Sequence, residues 1–592
     1  MTIYIIVKRF AIILCYLISS IFLAGYSIHA QTSYYIGPTG DDNNPGNNSL
    51  PWATITYGVN QLSPGDVLII KTGTYAEKVV INGNITGGSA AGHITIRGEA
   101  NAIIDGQGLS PNGSEGLITI VDAQYIIIDN LELKNFVTST GYNITDSPLG
   151  IYIHGNSHDL IVRNIKIHDI RNLSSCNQTD FNCGPSANGI GVFGDTQAGI
   201  YDIEFLDNEI YNCTLASSEA FVLNGNIDRF TIKGNHVHDN NNIGFDFIGY
   251  EGTCSTCINE EDDRVRNGIV SHNKAINNTT TLGNPWYGNN GESAGGFYVD
   301  GARNIIFDGN ESSGNDIGFE FASEQPGKST EDILMINNVI YKNLSAGLSI
   351  GGYGADPAGE GGGSAERIYV YNNSFYQNWD WGTEINFAYR IIDASFQNNI
   401  IYGVSAVNDN FYQEPNGQHQ NIIWGKNIWW GSSTNGQASL PGQALVIDPL
   451  YSNSITNNFA LQSNSSGIDV GIAQADITDW TSPFWGGNIR AHGTVDQSMN
   501  LRYNGIIDMG AYEYGSISLC TDDFAQVNMN GISGTINNTT TYETDGIIDS
   551  RQVITNSALI NYDSKIEINL LPGFEVVSSA TLHAFIDGCG GI

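Results

Sequence analysis

The chain has 592 residues, a formal net charge of −37, 70 glycines, and 41% apolar against only 14% charged residues. With no basic face to meet phosphates, it excludes nucleic acid and anionic membrane as partners. Its apolar share excludes disorder, and its charge suits a neutral or cationic partner, or bound calcium.

Residues 1–30 read as a secretory signal peptide: Lys8 and Arg9 precede an apolar run from Phe10 to Ala24, and a cleavage point follows Ala30. That run is shorter than the roughly 20 residues of a spanning helix. No later segment is apolar enough to insert, so the mature chain is expected to be secreted or held at the cell surface. Export permits disulfides, though spacing does not fix their pairing. Cys176 and Cys183 lie close in one loop, Cys254 and Cys257 in another, and Cys520 and Cys589 bracket the C-terminal segment. Cys213 is left over as a buried thiol. Zinc at Cys254 and Cys257 would need a second ligand pair, which the spacing does not supply.

Residues 31–78 read as an N-terminal cap. Trp52–Leu62 has helical apolar spacing and Val67–Ile70 is a short strand. The order Tyr35-Ile-Gly-Pro-Thr-Gly, Pro51-Trp-Ala-Thr-Ile-Thr-Tyr and Pro64-Gly-Asp-Val-Leu-Ile-Ile resembles the lead-in of secreted right-handed parallel β-helix (pectin-lyase-like) proteins, among them polysaccharide lyases and glycosidases. Its physical role is to cover a solenoid end that would otherwise expose unpaired backbone.

Residues 79–445 repeat one phrase, short strands apolar at period two and broken by Asn or Gly. Examples are Ile126-Ile-Ile-Asp-Asn-Leu-Glu-Leu, Ile203-Glu-Phe-Leu-Asp-Asn-Glu-Ile and Ile333-Leu-Met-Ile-Asn-Asn-Val-Ile. Asn suits a sharp left-handed turn and bonds to its neighbours up and down a stack. Self-similarity of this kind predicts an all-β solenoid, and the resemblance of the cap implies that it is a single-stranded right-handed parallel β-helix. The interval between equivalent Asn residues varies, and the excess forms loops where ligands are gripped. One of these, Tyr353–Glu366, is glycine-rich and expected to be mobile.

Residues 446–515, with Asp448-Pro-Leu-Tyr, Asn458-Phe-Ala-Leu and Asp508-Met-Gly-Ala-Tyr-Glu, resemble the closing segment that ends such helices. Residues 516–592, with Ile547-Ile-Asp-Ser-Arg and Ile566-Glu-Ile-Asn-Leu-Leu-Pro-Gly-Phe, resemble the three-coathanger-stack modules of secreted Bacteroidetes proteins. That second resemblance implies cell-surface attachment or substrate proximity.

Three phrases stand in parallel: Gly244-Phe-Asp-Phe-Ile-Gly-Tyr-Glu, Gly296-Phe-Tyr-Val-Asp-Gly and Gly318-Phe-Glu-Phe-Ala-Ser-Glu. Read as one strand position on successive coils, they point Phe245, Phe247, Phe297, Val299, Phe319 and Phe321 inward and Asp246, Tyr298, Asp300 and Glu320 outward. Asp300 and Glu320 would then have Cα atoms about 8 Å apart, and Asp246 and Glu320 about 10 Å. Their carboxyls can meet at the roughly 5–9.5 Å used by glycosidase pairs. One would protonate the leaving oxygen, its pKa raised by like charges, and another would act as nucleophile or activate water. The catalytic candidates are Asp300, Glu320, Glu324 and Asp246. Glu251, Tyr298, His238 and His272 are candidates for holding substrate, as are the loop aromatics Trp286, Tyr287, Trp379 and Trp381.

Two alternatives stay open. A calcium-dependent lyase acting on uronic-acid polymers would use the carboxylates as oxygen ligands, with Lys274, Arg264, Arg266 or Arg303 as base, although so acidic a chain repels a polyuronate. An adhesin or glycan-binding surface protein would use the long faces without turnover, since solenoids host all three functions.

Overall fold

The computed structural model describes residues 32–516 apart from 84–91, 178, 180–182, 288–292, 379–382, 404–408, 432–439, 479, 481, 486–488, 492, 494, 501 and 503–505. It also describes the backbone of seven strands between 529 and 585. The expected signal peptide, Trp379, Trp381, Cys520 and Cys589 lie outside the described residues.

The chain winds as a parallel β-helix with three long faces. Sheet 1 has thirteen strands, from Ser33–Ile36 to Ile423–Trp424. Sheet 2 has thirteen, from Gly73–Tyr75 to Gln443–Leu445, and sheet 3 has eleven, from Val79–Asn82 to Asp409–Gln413. Each coil visits sheet 3, sheet 1 and sheet 2 in turn, as in Gly295–Asp300, Arg303–Asp308 and Glu311–Ser313. The period-two alternation does what it must in a strand. Phe297, Val299, Ile305 and Phe307 are fully buried and belong to one core running from Ile36 to Trp429. Within 31–78 the first strands already join sheets 1 and 2, and among the described residues there the only helical turn is Ile55–Val59.

Asparagine ladders fix the turns. Between sheets 1 and 2, Asn310 accepts from the Asn273 backbone N–H (2.9 Å) and from its Nδ2 (3.0 Å), and donates to Val270 O (2.8 Å) and Asn338 Oδ1 (3.0 Å). The same pattern links Asn208, Asn235, Asn273, Asn310, Asn338, Asn373, Asn399 and Asn427. Each side chain thereby satisfies backbone groups that the turn would leave orphaned. A second ladder runs through Asn240, Asn278, Asn315, Asn343 and Asn378. It ends on Glu384, whose oxygens accept the Asn378 N–H (3.0 Å) and Nδ2 (2.6 Å).

The segment after 445 does not simply end the stack. It runs back along the outside of the solenoid. Tyr451, Phe459, Met509 and Ala511 pack on Tyr341, Tyr376 and Ile400 of sheet 2, and Ile477, Trp480 and Ile489 pack on Leu334, Ile336 and Tyr371 of sheet 1. Buried Arg502 braces this strap by donating to the carbonyls of Asp508 (3.0 Å) and Gly510 (2.6 Å). The described strap packs on sheets 1 and 2; sheet 3 is bordered on both sides by the long loops.

Cys176 pairs with Cys183 and Cys254 with Cys257, while Cys213 is a buried free thiol. The Tyr353–Glu366 loop is tied down rather than loose: the Arg390 guanidinium donates to the carbonyls of Gly354 (2.6 Å), Gly361 (3.1 Å) and Gly363 (2.9 Å). The strands between 529 and 585 form two further sheets of parallel strands.

Candidate active site

The outer face of sheet 3 gathers the acidic residues. Asp246 pairs with Tyr298 and Tyr298 with Glu320, three successive coils in one column. Asp300 lies two residues further along its strand than Tyr298, opposite Ala322. This is the register the repeated phrases predict. On the inner side Phe245 stacks on Phe297 (ring centroids 4.8 Å apart) and Phe297 on Phe319 (4.6 Å). The leading glycines are there for space. A Cβ on Gly296 would stand 2.8 Å from Gly318 O and 2.6 Å from Asn315 Nδ2, and one on Gly318 would stand 2.4 Å from Gly347 O. These glycines let adjacent coils close up and bring the carboxyls together.

Loops then bury what the strands present. Asp246 and Asp300 are each only 2% exposed, Glu320 and Glu324 are half-buried, and Glu251 is exposed at the rim. Glu324 follows its strand into a turn where its N–H donates to Asp300 Oδ1 at 2.8 Å. The Tyr298 hydroxyl donates to Glu324 Oε1 at 3.3 Å, and Asn224 Nδ2 donates to Glu251 at 2.8 Å. Asp246 Oδ1 is buried with no partner among the described residues.

Burying like charges together drives protons on. Burial, then the charges of Glu219, Asp300, Glu251 and Glu324, push the Asp246 carboxyl well above the usual carboxylate range. Burial and the Glu324 charge do the same to Asp300 against the pull of the Glu324 N–H. Glu320 is pushed up to about 8, by burial and then Glu324. Glu324 is raised too, by burial and Glu251, though hydrogen bonds from Tyr353 and Tyr298 favour its anion. The charges that act on Asp246, Asp300 and Glu320 are those of other carboxyls.

Two residues join that the phrase pattern passes over. Glu219, pushed up to about 8 by burial and then Glu251, precedes the strand Phe221–Gly225. That strand is a fourth copy of the phrase, disguised because Ala220 stands where the others carry glycine, and its Phe221 and Val222 pair with Phe245 and Asp246. Tyr353, from the tied loop, bonds Glu324. Tyr287 also belongs here, its phenol pushed up to about 12 by burial and then by Glu219 and Glu324. Trp286 beside it is half-buried.

Other candidates lie elsewhere. His238 is on sheet 2, with Nδ1 bonded to Asp239 (2.8 Å) and Nε2 3.4 Å from Glu209 Oε1. His272 sits half-buried in a turn between sheets 1 and 2, where φ is 52°. Closeness in sequence to the acidic stretch misplaced both, because one coil carries the chain across all three faces. The proposed lyase bases are displaced for the same reason. Lys274 is on sheet 2, paired with Glu311 at 3.1 Å. Arg266 and Arg303 face each other on sheet 1. Arg264 is fully buried and donates to the carbonyls of Ala302 and Ser329. A separate cleft of about 450 Å³, lined by Tyr369, Tyr371, Gln397, Gln474 and Asp476, lies between sheet 1 and the strap, away from the carboxyl cluster.

No family model matches the chain. Over 450 residues it is 31% identical to the uncharacterized protein YwoF of Bacillus subtilis (strain 168), covering 73% of this chain and 91% of that protein. Among solved structures it is similar to pectate lyase Pel9A (13% identity, 82% of this chain and 97% of that one, TM-score 0.43). It is also similar to the GH136 lacto-N-biosidase from Eubacterium ramulus (13% identity, 66% and 68%, TM-score 0.37).

Proposed function

The chain belongs to the family of Bacillus subtilis YwoF, and we propose that it is a secreted glycoside hydrolase that cleaves a polysaccharide with the carboxyl groups of sheet 3. The observation that carries this reading is the column Asp246–Tyr298–Glu320 with Asp300 beside it, acidic groups from three coils held together with other carboxyls as their charged neighbours. Glycoside hydrolysis needs one carboxyl protonated and another ionised at the same pH. Glu320, held protonated to about pH 8, is the general acid. Asp300 and Glu324 form a second pair, in which burial and the Glu324 charge hold the Asp300 carboxyl well above its usual range. The ionised member, favoured at Glu324 by the Tyr298 and Tyr353 hydroxyls, is the nucleophile or the base for water. Tyr287 and Tyr353 offer ring faces to the sugar at the rim.

Asp246 Oδ1, buried and without a partner among the described residues, favours one second reading, a calcium ion held by the carboxylates. A calcium-dependent lyase would still need a base on sheet 3, and the Lys and Arg candidates stand on other faces or deep in the structure. Screening the secreted protein on plant and algal polysaccharides tests the choice. A hydrolase releases reducing ends with no new ultraviolet band and keeps its rate in chelator. A lyase generates an unsaturated, ultraviolet-absorbing product, and an adhesin binds without turnover.

A further inference from the structure

A second cluster stands on sheet 2, apart from the carboxyls of sheet 3. The strand His236–His238 places its two imidazoles on one outer face, because residues two apart on a strand share a side. Glu209 is the register partner of His236 on the preceding coil. One ligand atom from each of Glu209, His236 and His238 lies within 4.8 Å of the other two. We propose that these three side chains bind a divalent transition-metal ion of the zinc class, with the outward position left open.

The geometry of each ligand supports this. His238 Nδ1 is bonded to Asp239 Oδ2 at 2.8 Å, and Asp239 is held in turn by Asn277. A carboxylate behind an imidazole is the usual way to fix a metal-binding tautomer, and it leaves Nε2 with a free lone pair. That Nε2 lies 3.4 Å from Glu209 Oε1. A tetrahedral ion with bonds of about 2.0–2.1 Å spaces its ligands about 3.3–3.4 Å apart. The other Glu209 oxygen is held by Lys166 Nζ at 3.1 Å, which aims Oε1 inward. His236 stacks on His238 (centroids 4.0 Å apart, planes 25° apart), so its ring must turn to bring a nitrogen onto an ion at His238 Nε2, and His238 also stacks on Tyr211 (5.2 Å). Two cations face the cluster, Lys166 and Lys274. The first is bound to Glu209 and the second is drawn to Glu311 at 3.1 Å, with Asp239 adding further negative charge. Side-chain exposures of 17% for His238 and 35% for Glu209 leave room for water or a ligand atom in the fourth position.

The test uses the full secreted chain, stripped with chelator, dialysed against zinc and assayed for bound metal and calorimetric affinity. The wild type is expected to hold one equivalent and to melt at a higher temperature with zinc than without. His236→Ala loses that equivalent. Glu209→Gln and Asp239→Asn, which keep the side-chain shapes, weaken binding by about 10–100-fold. Glu320→Gln, on the other face, leaves it unchanged. Zinc binding that is absent in the wild type, or equal in His236→Ala and the wild type, overturns the site. Loss of the zinc in Glu320→Gln instead would place the ion among the sheet 3 carboxylates and overturn it equally.

Discussion

The backbone N–H of Glu324 donates to Oδ1 of Asp300 across 2.8 Å. The bond ties the turn after one coil to the strand of the coil before it, and it leaves the second Asp300 oxygen for a reacting group. Replacing Asp300 by Asn keeps the shape and removes the exchangeable proton and charge. The account predicts a fall in kcat of about 10²–10⁴-fold with little change in melting temperature, and a similar fall for Glu324→Gln. Steady-state rates beside thermal melts check both, and full activity in either variant removes that residue from the chemistry.

The raised carboxyl of Glu320 fixes a pH dependence. Its ordinary value is 4.5 and its folded value about 8. Between those limits the folded state holds the proton more tightly than the unfolded one, so its contribution to stability is present at low pH and is lost as pH rises through about 8. Activity is expected to follow the same limb, falling as the acid deprotonates. Glu320→Gln should therefore gain stability on the wild type as pH rises from 5 to about 8, by roughly 4 kcal/mol, while losing activity throughout. Melts at several pH values check this, and a constant difference between the two proteins contradicts it.

Asn310 stands mid-ladder with four hydrogen bonds. Asn310→Ala strands the donors of Asn273 and the carbonyl of Val270 inside the turn. The expected loss is roughly 2–4 kcal/mol, read from denaturant unfolding. A change below about 0.5 kcal/mol, the ordinary surface range, would mean that the ladder is ornamental.

Gly296→Ala tests the close approach of the coils. The added methyl meets Ser312 Oγ and Asn315 Nδ2 at 2.6 Å and Gly318 O at 2.8 Å. Overpacking of this kind costs about 1–3 kcal/mol, and because the same strand carries Tyr298 and Asp300, activity should fall with it. A variant as stable and active as the wild type would mean that the coils have slack to separate.

Much of this was legible in the sequence because a solenoid repeats itself. Phe245, Phe297 and Phe319 recur in phase, and that phase alone puts Asp246, Tyr298 and Glu320 in one outer column. The recurrent Asn before each apolar run marks the turn ladder. What escaped was whatever depends on which face a coil has reached. His238 and Lys274 are near the acidic phrases in sequence but on another sheet, since one coil carries the chain round all three. Glu219 escaped because Ala220 replaces the expected glycine. The strap's path along sheets 1 and 2 escaped because Tyr341 and Tyr376 alternate like surface strand residues until the strap covers them.

The central claim is hydrolysis by the sheet 3 carboxyls, and the mass of the products formed in heavy-oxygen water tests it most directly. The account predicts that each cleavage in the wild type incorporates one solvent oxygen at the new reducing end, and that Glu320→Gln and Asp300→Asn form almost no product. Products that carry no solvent oxygen, or variants that cleave at the wild-type rate, would contradict it.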